Sequence, residues 1–261
     1  MYPILTVVGS WTLRITYMLG DATLFGTRAL FLSLGPRFSI SKISHQIYQI
    51  GVRCIPVILL VSIFTGLVLG LQGYHTLSQF GTEGLVGSAV ALSLVRELGP
   101  VLTALMVIGQ AGSTMAAELG MMRSSEQIDA LETMDIPPLS FLVGPRLIAG
   151  MICFPLLTSI FNIVGIYGGY LATVVMLDID SGTYWYRVID SINLDTVIGG
   201  YSKSLLFAAN SLMICCYMGY NLHKHGGLHG AQGVNTAATT AVVLSSISTL
   251  ILDYLVTAWM L

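Results

Sequence analysis

Arg96 and Glu97 have the most chemistry to offer, because they stand side by side in an otherwise apolar run, ALSLVRELGP (91–100). A charged side chain at the centre of a bilayer costs roughly 2.5–3.5 kcal/mol on insertion scales, so an intramembrane charge points to function by default. Adjacent helix positions do not face one another, so the two side chains need different partners or a break in the helix. Gly99-Pro100 supplies a break, since Pro100 has no N–H for the Arg96 carbonyl. A polar spot of this kind suits a headgroup or a gate. The other arrangement starts the span near Leu98 and leaves both charges at the outer surface. Two further motifs invite chemistry and fall short of it. His223, His225 and His229 could ligate a metal, but they stand in a glycine-rich stretch with no acid or cysteine nearby. Gly199-Gly-Tyr-Ser-Lys203-Ser lacks the glycine that a phosphate loop places directly before its lysine. No Walker A motif, nucleophile elbow or H-E-x-x-H occurs, so membrane-enzyme chemistry has no constellation to rest on.

The elements that must hold these residues are apolar. Of 261 residues, 54% are hydrophobic and 9% charged, against about 25% charged in soluble domains. Mean hydropathy is +0.80. This is an integral membrane protein, and its net charge of −2 gives no basic surface for nucleic acid. The four cysteines (Cys54, Cys153, Cys215, Cys216) fall in apolar stretches and say little about redox compartment. The opening MYPILTVVGSW holds no basic residue and does not read as a signal peptide.

Charge-free gaps at 54–82, 98–117, 147–177, 204–223 and 225–252 set the topology. With about 20 apolar residues needed per crossing, they predict five transmembrane helices, near 54–74, 88–110, 147–174, 199–221 and 238–260. The third is long enough to tilt, or to break near Pro155 or Gly168-Gly169. Residues 1–13 are too short to cross. The following mixture of Arg14, Asp21 and Arg28 with Leu13, Tyr17, Leu24, Phe25 and Phe31 suggests a helix lying in the interface. Basic residues gather before the first span (Arg14, Arg28, Arg37, Lys42, Arg53), in the second loop (Arg123, Arg146) and in the fourth (Lys224). The loop 178–195 instead carries Asp178, Asp180, Asp190 and Asp195 against Arg187. The alternation predicts N-in, C-out. The fold class is therefore all-α integral membrane, one domain over 1–261, with 1–50 cytoplasmic or interfacial.

Gly66/Gly70 and Gly165/Gly169 repeat a spacing of four that lets helix backbones approach closely, within one chain or between two. Gln72 and Tyr74 fall at the outer end of the first span. In the second loop, Ser124-Ser-Glu-Gln127 fits a capping box. Acids recur at Glu126, Asp129, Glu132 and Asp135, and apolar residues at Ile128, Leu131 and Met134 on the opposite side, until Pro137-Pro138. An acidic helix with an apolar stripe matches a groove on another protein better than an anionic leaflet. The alternative is a short helix packed on its own domain.

The stretches GLVLGLQGY (66–74), ALSLVRELGPVLTALMVIGQAGSTMAAELGMM (91–122), EQIDALETMDIPPLSFLVGPRLIAG (126–150) and GGLHGAQGVNTAATTAVV (226–243) resemble the MlaE/YrbE permease family, in order, from about residue 10 to the end. The resemblance implies the permease subunit of an ABC transporter in the bacterial inner membrane. Such permeases move phospholipid between inner and outer membranes and maintain outer-membrane lipid asymmetry. It implies a homodimer, each copy on an MlaF-like ATPase that binds the ATP and magnesium, with an MlaB-like STAS protein on the ATPase. A ring of MlaD-like MCE subunits, expected to be hexameric, caps the periplasmic side. It implies no cofactor in this chain and phospholipid as substrate, held by Leu69, Gln72, Tyr74, Arg96, Glu97 and Leu98. The helix at about 124–136 becomes the coupling helix, with Glu126, Ile128, Asp129, Leu131, Glu132 and Met134 meeting the ATPase. The competing expectation is a proton-driven secondary transporter in which Glu97 titrates.

Overall fold

The computed structural model describes residues 9, 13, 16, 20, 21, 23–28, 40–222 and 230–260. Among these every regular element is helical: α1 (Ile40–Ile50), α2 (Ile55–Ser78), α3 (Glu83–Ser124), α4 (Gln127–Thr133), α5 (Leu139–Val175), α6 (Ser181–Ser191), α7 (Leu194–Tyr220) and α8 (Ala231–Met260). A 3-10 turn at Val52–Cys54 joins α1 to α2. Local sequence sets several ends. Pro56 sits in the first turn of α2, where its missing N–H costs nothing. Gly81 follows α2 at φ +66° and Gly230 precedes α8 at φ +77°, in the left-handed region that favours glycine.

Four helical stretches, Ile40–Ser78, α3, α5 and α8, are long and apolar enough to cross a bilayer. The protein is multi-pass. The fifth expected span corresponds to α7, which is 27 residues long but is not among the four. Its polar side chains lower its apolarity, and of these Lys203, Ser204 and Ser211 are buried against neighbouring helices. The outward faces are apolar: Leu60, Phe64 and Val68 on α2, Leu156 and Ile163 on α5, and Leu250, Ile251 and Leu255 on α8 are all exposed. A soluble domain would bury such side chains; a bilayer or a second copy must cover them here.

α5 is the axis of the bundle. It packs along α2 on one side and α7 on another, and α7 in turn packs along α8 and the second half of α3. Phe154, Leu157 and Phe161 of α5, Leu94 and Val107 of α3 and Phe207 and Leu212 of α7 build the centre. The two glycine pairs meet each other within this chain. A Cβ on Gly66 would strike the Gly165 carbonyl and the Gly169 amide, and one on Gly70 would lie 3.0 Å from the Gly169 carbonyl. Their spacing serves packing of α2 on α5.

Three expectations need correcting. The acidic loop at 178–195 contains a helix, α6, whose Asp180 caps it by accepting from Thr183 N at 2.7 Å. Its buried Tyr184 donates to the Ile166 carbonyl at 2.9 Å. Pro155 does not break α5: Gly144–Tyr170 runs unbroken around it, and the irregular turns lie at Leu139–Val143 and Leu171–Val175. The capping box at 124–127 does not form, as described with the α4 residues below. The expected interfacial helix and the His223/His225/His229 run fall mostly or wholly outside the described residues. Of the former, Phe25 is buried against Tyr217 and Tyr220 with ring centroids 5.6 and 5.4 Å apart.

Candidate functional site

Val86 opens the regular part of α3, so Arg96 lies about 15 Å along the helix at 1.5 Å per residue. The helix therefore begins well before Leu98, and Arg96 and Glu97 lie within it. The break expected at Gly99-Pro100 takes the form of a π-helical turn, Leu94–Leu98, in which the Gly99 N–H reaches back to the Leu94 carbonyl. Such turns cluster at functional sites. Gly99 itself must be glycine, because a Cβ there would collide with Asn162 Oδ1 of α5.

The turn separates the two charges. Glu97 points at α7, where its Oε2 accepts from Lys203 Nζ at 2.6 Å. Lys203 is 3% exposed, and the same amine donates to the Arg96 carbonyl at 3.1 Å and to Thr257 Oγ1 at 2.7 Å. Asp253 Oδ1 lies 3.3 Å from it, an ion pair without hydrogen-bond geometry. The Arg96 carbonyl that Pro100 cannot serve is thus met by a lysine 107 positions away. Arg96 points outward and is exposed.

Lys203 reaches Glu97 because the backbone of α7 comes close to α3. A Cβ on Gly200 would lie 2.5 Å from the Val95 carbonyl, and Gly199 faces Met260 of α8. The Gly199-Gly200…Lys203 run is therefore neither a phosphate loop nor a loop of any kind. It is the close-approach point of a helix. α8 answers with Ser245, Thr249, Asp253 and Thr257, spaced by four on one face. Ser245 and Thr249 are buried, and Asn210 of α7 donates to Thr249 Oγ1 at 3.4 Å and accepts from Ser248 Oγ at 3.0 Å. Sequence reasoning missed Lys203, Asp253 and Thr257. The signals were a lone lysine one turn after paired glycines and a polar stripe at helical spacing in an apolar segment.

Beside this cluster an open pocket of about 440 Å³ is lined by Arg96, Glu97, Lys203, Thr257, Asp195 and Thr196, with Ser93, Gly199 and Gly200 in its floor and Leu92 and Met260 as apolar wall. The structure gathers only two of the six expected lipid-site residues here. Leu98 and Leu69 are half-buried against the core, Tyr74 is half-buried on α2, and Gln72 is exposed on α2. The Leu94–Leu98 turn packs chiefly on α7 within one chain, not on α2.

At the other expected site α4 is shorter than predicted. Glu126, in a left-handed conformation at φ 58°, precedes Gln127 and makes no side-chain cap, while Ser125 Oγ donates back to the Met121 carbonyl at 2.8 Å. A serine that can bond its own preceding turn competes with a cap. The face assignment also changes. Ile128 is fully buried in this chain, Asp129 pairs with Arg123 at 2.7 Å, and Glu132 Oε1 accepts from Tyr220 at 3.4 Å. Leu131 is half-buried, while Glu126, Met134 and Asp135 face outward. One side of α4 seats it on its own domain and the other stays open.

A multi-pass helical bundle holding an ion cluster beside an open pocket has the build of a membrane permease. The chain belongs to the MlaE permease family, whose pattern ("Permease MlaE") it matches over residues 43–259. It is 40% identical over 250 residues to a "Probable ABC transporter permease protein" of Rickettsia bellii, covering 96% of this chain and 95% of that one. It is 40% identical over 216 residues to the "Intermembrane phospholipid transport system permease protein MlaE" of Haemophilus influenzae, covering 82% and 81%. It is 30% identical over 215 residues to the chloroplastic "Protein TRIGALACTOSYLDIACYLGLYCEROL 1" of Arabidopsis thaliana, covering 82% and 60%. It is an ABC transporter permease, a class of subunit that is not itself the ATPase.

Proposed function

We propose that this permease moves phospholipid between the inner and outer membranes of a bacterium, from a seat in the inner membrane, and so maintains outer-membrane lipid asymmetry. The observation that carries the reading is the charged pocket of about 440 Å³ beside the Glu97–Lys203 pair, with Leu92 and Met260 as apolar wall. A pocket with both characters accepts an amphiphile: the headgroup meets Arg96 and Glu97, and the acyl chains run along apolar helix faces. Two copies pair through the exposed apolar faces, which lets Leu69, Gln72, Tyr74 and Leu98 approach the lipid from elements that a single chain holds apart. The chain crosses five times, N-in and C-out, with α7 as the crossing that hides its polar face. The outward side of α4, with Leu131 and Met134, docks on an MlaF-like ATPase that supplies the ATP and magnesium chemistry, with an MlaB-like STAS protein on it. An MlaD-like MCE ring receives the lipid outside. The proton-driven reading loses ground because Glu97 spends its charge on Lys203.

Motion of the ATPases would pass through α4 into α3 and α5, which flank it in sequence, and change the width of the pocket. Nucleotide state can shift this equilibrium only by its differential affinity for the two conformations. Gentle purification of the tagged chain from its native membrane, with mass spectrometry of proteins and lipids, tests the reading. An ABC ATPase, an MCE protein and bound phospholipid are the expected companions, and Leu131→Asp is expected to lose the ATPase alone. Recovery of the chain without ATPase or lipid, under conditions where other complexes survive, overturns it.

A further inference from the structure

The pocket holds an unbalanced set of charges. Lys203 is buried and satisfied by Glu97, Thr257, Asp253 and the Arg96 carbonyl, so its amine has little left for a ligand. Two other charged side chains line the same pocket from different helices, Arg96 of α3 and Asp195 in the first turn of α7. Both are exposed, and among the described residues neither side chain has an ion-pair or hydrogen-bond partner. Nature could have joined them, or omitted them; instead the pocket offers a cation and an anion at separate points. Counting Asp253 behind Lys203, three carboxylates stand against two cations around it.

We propose that Arg96 and Asp195 select a dipolar headgroup, that of a phospholipid bearing a phosphate and a primary amine. This rests on the lipid reading of the pocket and goes beyond it by naming the headgroup class and the residue that chooses it. The planar guanidinium of Arg96 matches a phosphate with paired N–H donors. The carboxylate of Asp195 accepts from an ammonium, and Thr196 Oγ1 beside it can accept as well. A headgroup with a phosphate and no cation brings one more negative charge to a lining already rich in carboxylates. A quaternary amine keeps its charge but has no N–H to donate. Asp195 is therefore the specificity-determining residue, and Arg96 holds any phospholipid alike.

The test is the composition of the lipid that stays with the protein. The complete assembly is reconstituted into vesicles of equal parts phosphatidylethanolamine, phosphatidylglycerol and phosphatidylcholine, re-extracted gently, and its bound lipid quantified by mass spectrometry. Because both side chains are solvent-accessible, the discrimination is that of an exposed ion pair, and phosphatidylethanolamine is expected to be enriched roughly two- to fivefold over each of the others. Asp195→Asn is expected to abolish the enrichment, and Asp195→Lys to turn it toward phosphatidylglycerol. Asp190→Asn, an exposed acid on α6 outside the pocket lining, serves as the control and keeps the enrichment. Bound lipid that mirrors the vesicle composition in the unaltered protein overturns the proposal, whether or not the variants assemble. So does equal loss in Asp190→Asn, which would mean a general field effect. Absence of any bound lipid counts instead against the transport reading itself, so the two failures are distinguishable.

Discussion

Lys203 and Arg146 are the two charged side chains buried among the described residues, at 3% and 4% side-chain exposure, and the surroundings of the two differ instructively. Each faces a carboxylate that keeps some contact with solvent, Glu97 at 40% and Glu118 at 32%. Each also takes a backbone carbonyl, that of Arg96 for Lys203 and that of Leu142 for Arg146, both at 3.1 Å. Arg146 joins the end of α3 to the start of the regular part of α5, the two legs between which α4 hangs. Lys203 joins α3, α7 and α8, and a pocket opens beside it. Burial of a charge is costly in both places. What makes one a site and the other a brace is the space next to it.

The difference can be broken by removing each cation while keeping most of its volume. Lys203→Met leaves Glu97 and Asp253 without their shared cation at the edge of the pocket. Loss of one partner from a buried pair costs about 3–5 kcal/mol, and the partly exposed Glu97 places this variant near about 3 kcal/mol. Bound lipid is expected to fall with it. Arg146→Met leaves Glu118, which can turn to solvent, so the cost is that of lost charge-assisted hydrogen bonds, about 2 kcal/mol. Its lipid should persist, while ATP hydrolysis by the assembly becomes poorly coupled to transfer. Thermal unfolding in detergent, lipid content and the ratio of transfer to hydrolysis read these effects. Lipid loss in Arg146→Met with retention in Lys203→Met would reverse the assignment of site and brace.

Gly66→Ala sharpens the comparison by disturbing packing without charge. The added methyl meets the Gly165 carbonyl and the Gly169 amide, backbone atoms that cannot swing aside, so α2 must move off α5. Overpacking of this kind costs about 1–3 kcal/mol. The expected result is a lowered unfolding temperature with unaltered headgroup composition of the bound lipid. A changed composition would tie α2 to the headgroup.

How much of this was legible beforehand depended on which physics was local. The apolar runs, the cost of Arg96 and Glu97 and the orphaned carbonyl before Pro100 are properties of short stretches, and the helices and the π turn express them. The lysine that answers that carbonyl is 107 residues away, and no local rule brings it there. Its helix, expected as a span near 199–221, is less apolar than the four other stretches, because Lys203 and Asn210 interrupt it, although in space Lys203 is buried and Asn210 bonds to α8. α4 was misread. Its alternating acids and apolar residues read as two clean faces, but Arg123, Tyr220 and the core claim Asp129, Glu132 and Ile128, and the faces are set by those partners.

Asp180 supplies the smallest effect and completes the series from buried to fully exposed charge. Its carboxylate accepts from Thr183 N at 2.7 Å and Thr183 Oγ1 at 2.9 Å, and these bonds, the backbone one foremost, hold its pKa below the ordinary carboxylate value. A group whose folded pKa is depressed adds stability above its unfolded pKa and gives it up as pH falls through the folded value. The cap on α6 is therefore at full strength above roughly pH 4 and weakens below it. Hydrogen exchange of the first α6 amides is expected to quicken on acidification more than that of α7. In Asp180→Asn, whose side chain still caps but does not titrate, the extra acceleration should vanish. If it persists, the acid sensitivity of α6 comes from the loss of its seat on α3 and α5, where Tyr184 holds the Ile166 carbonyl, and the exposed charge contributes nothing beyond a hydrogen bond.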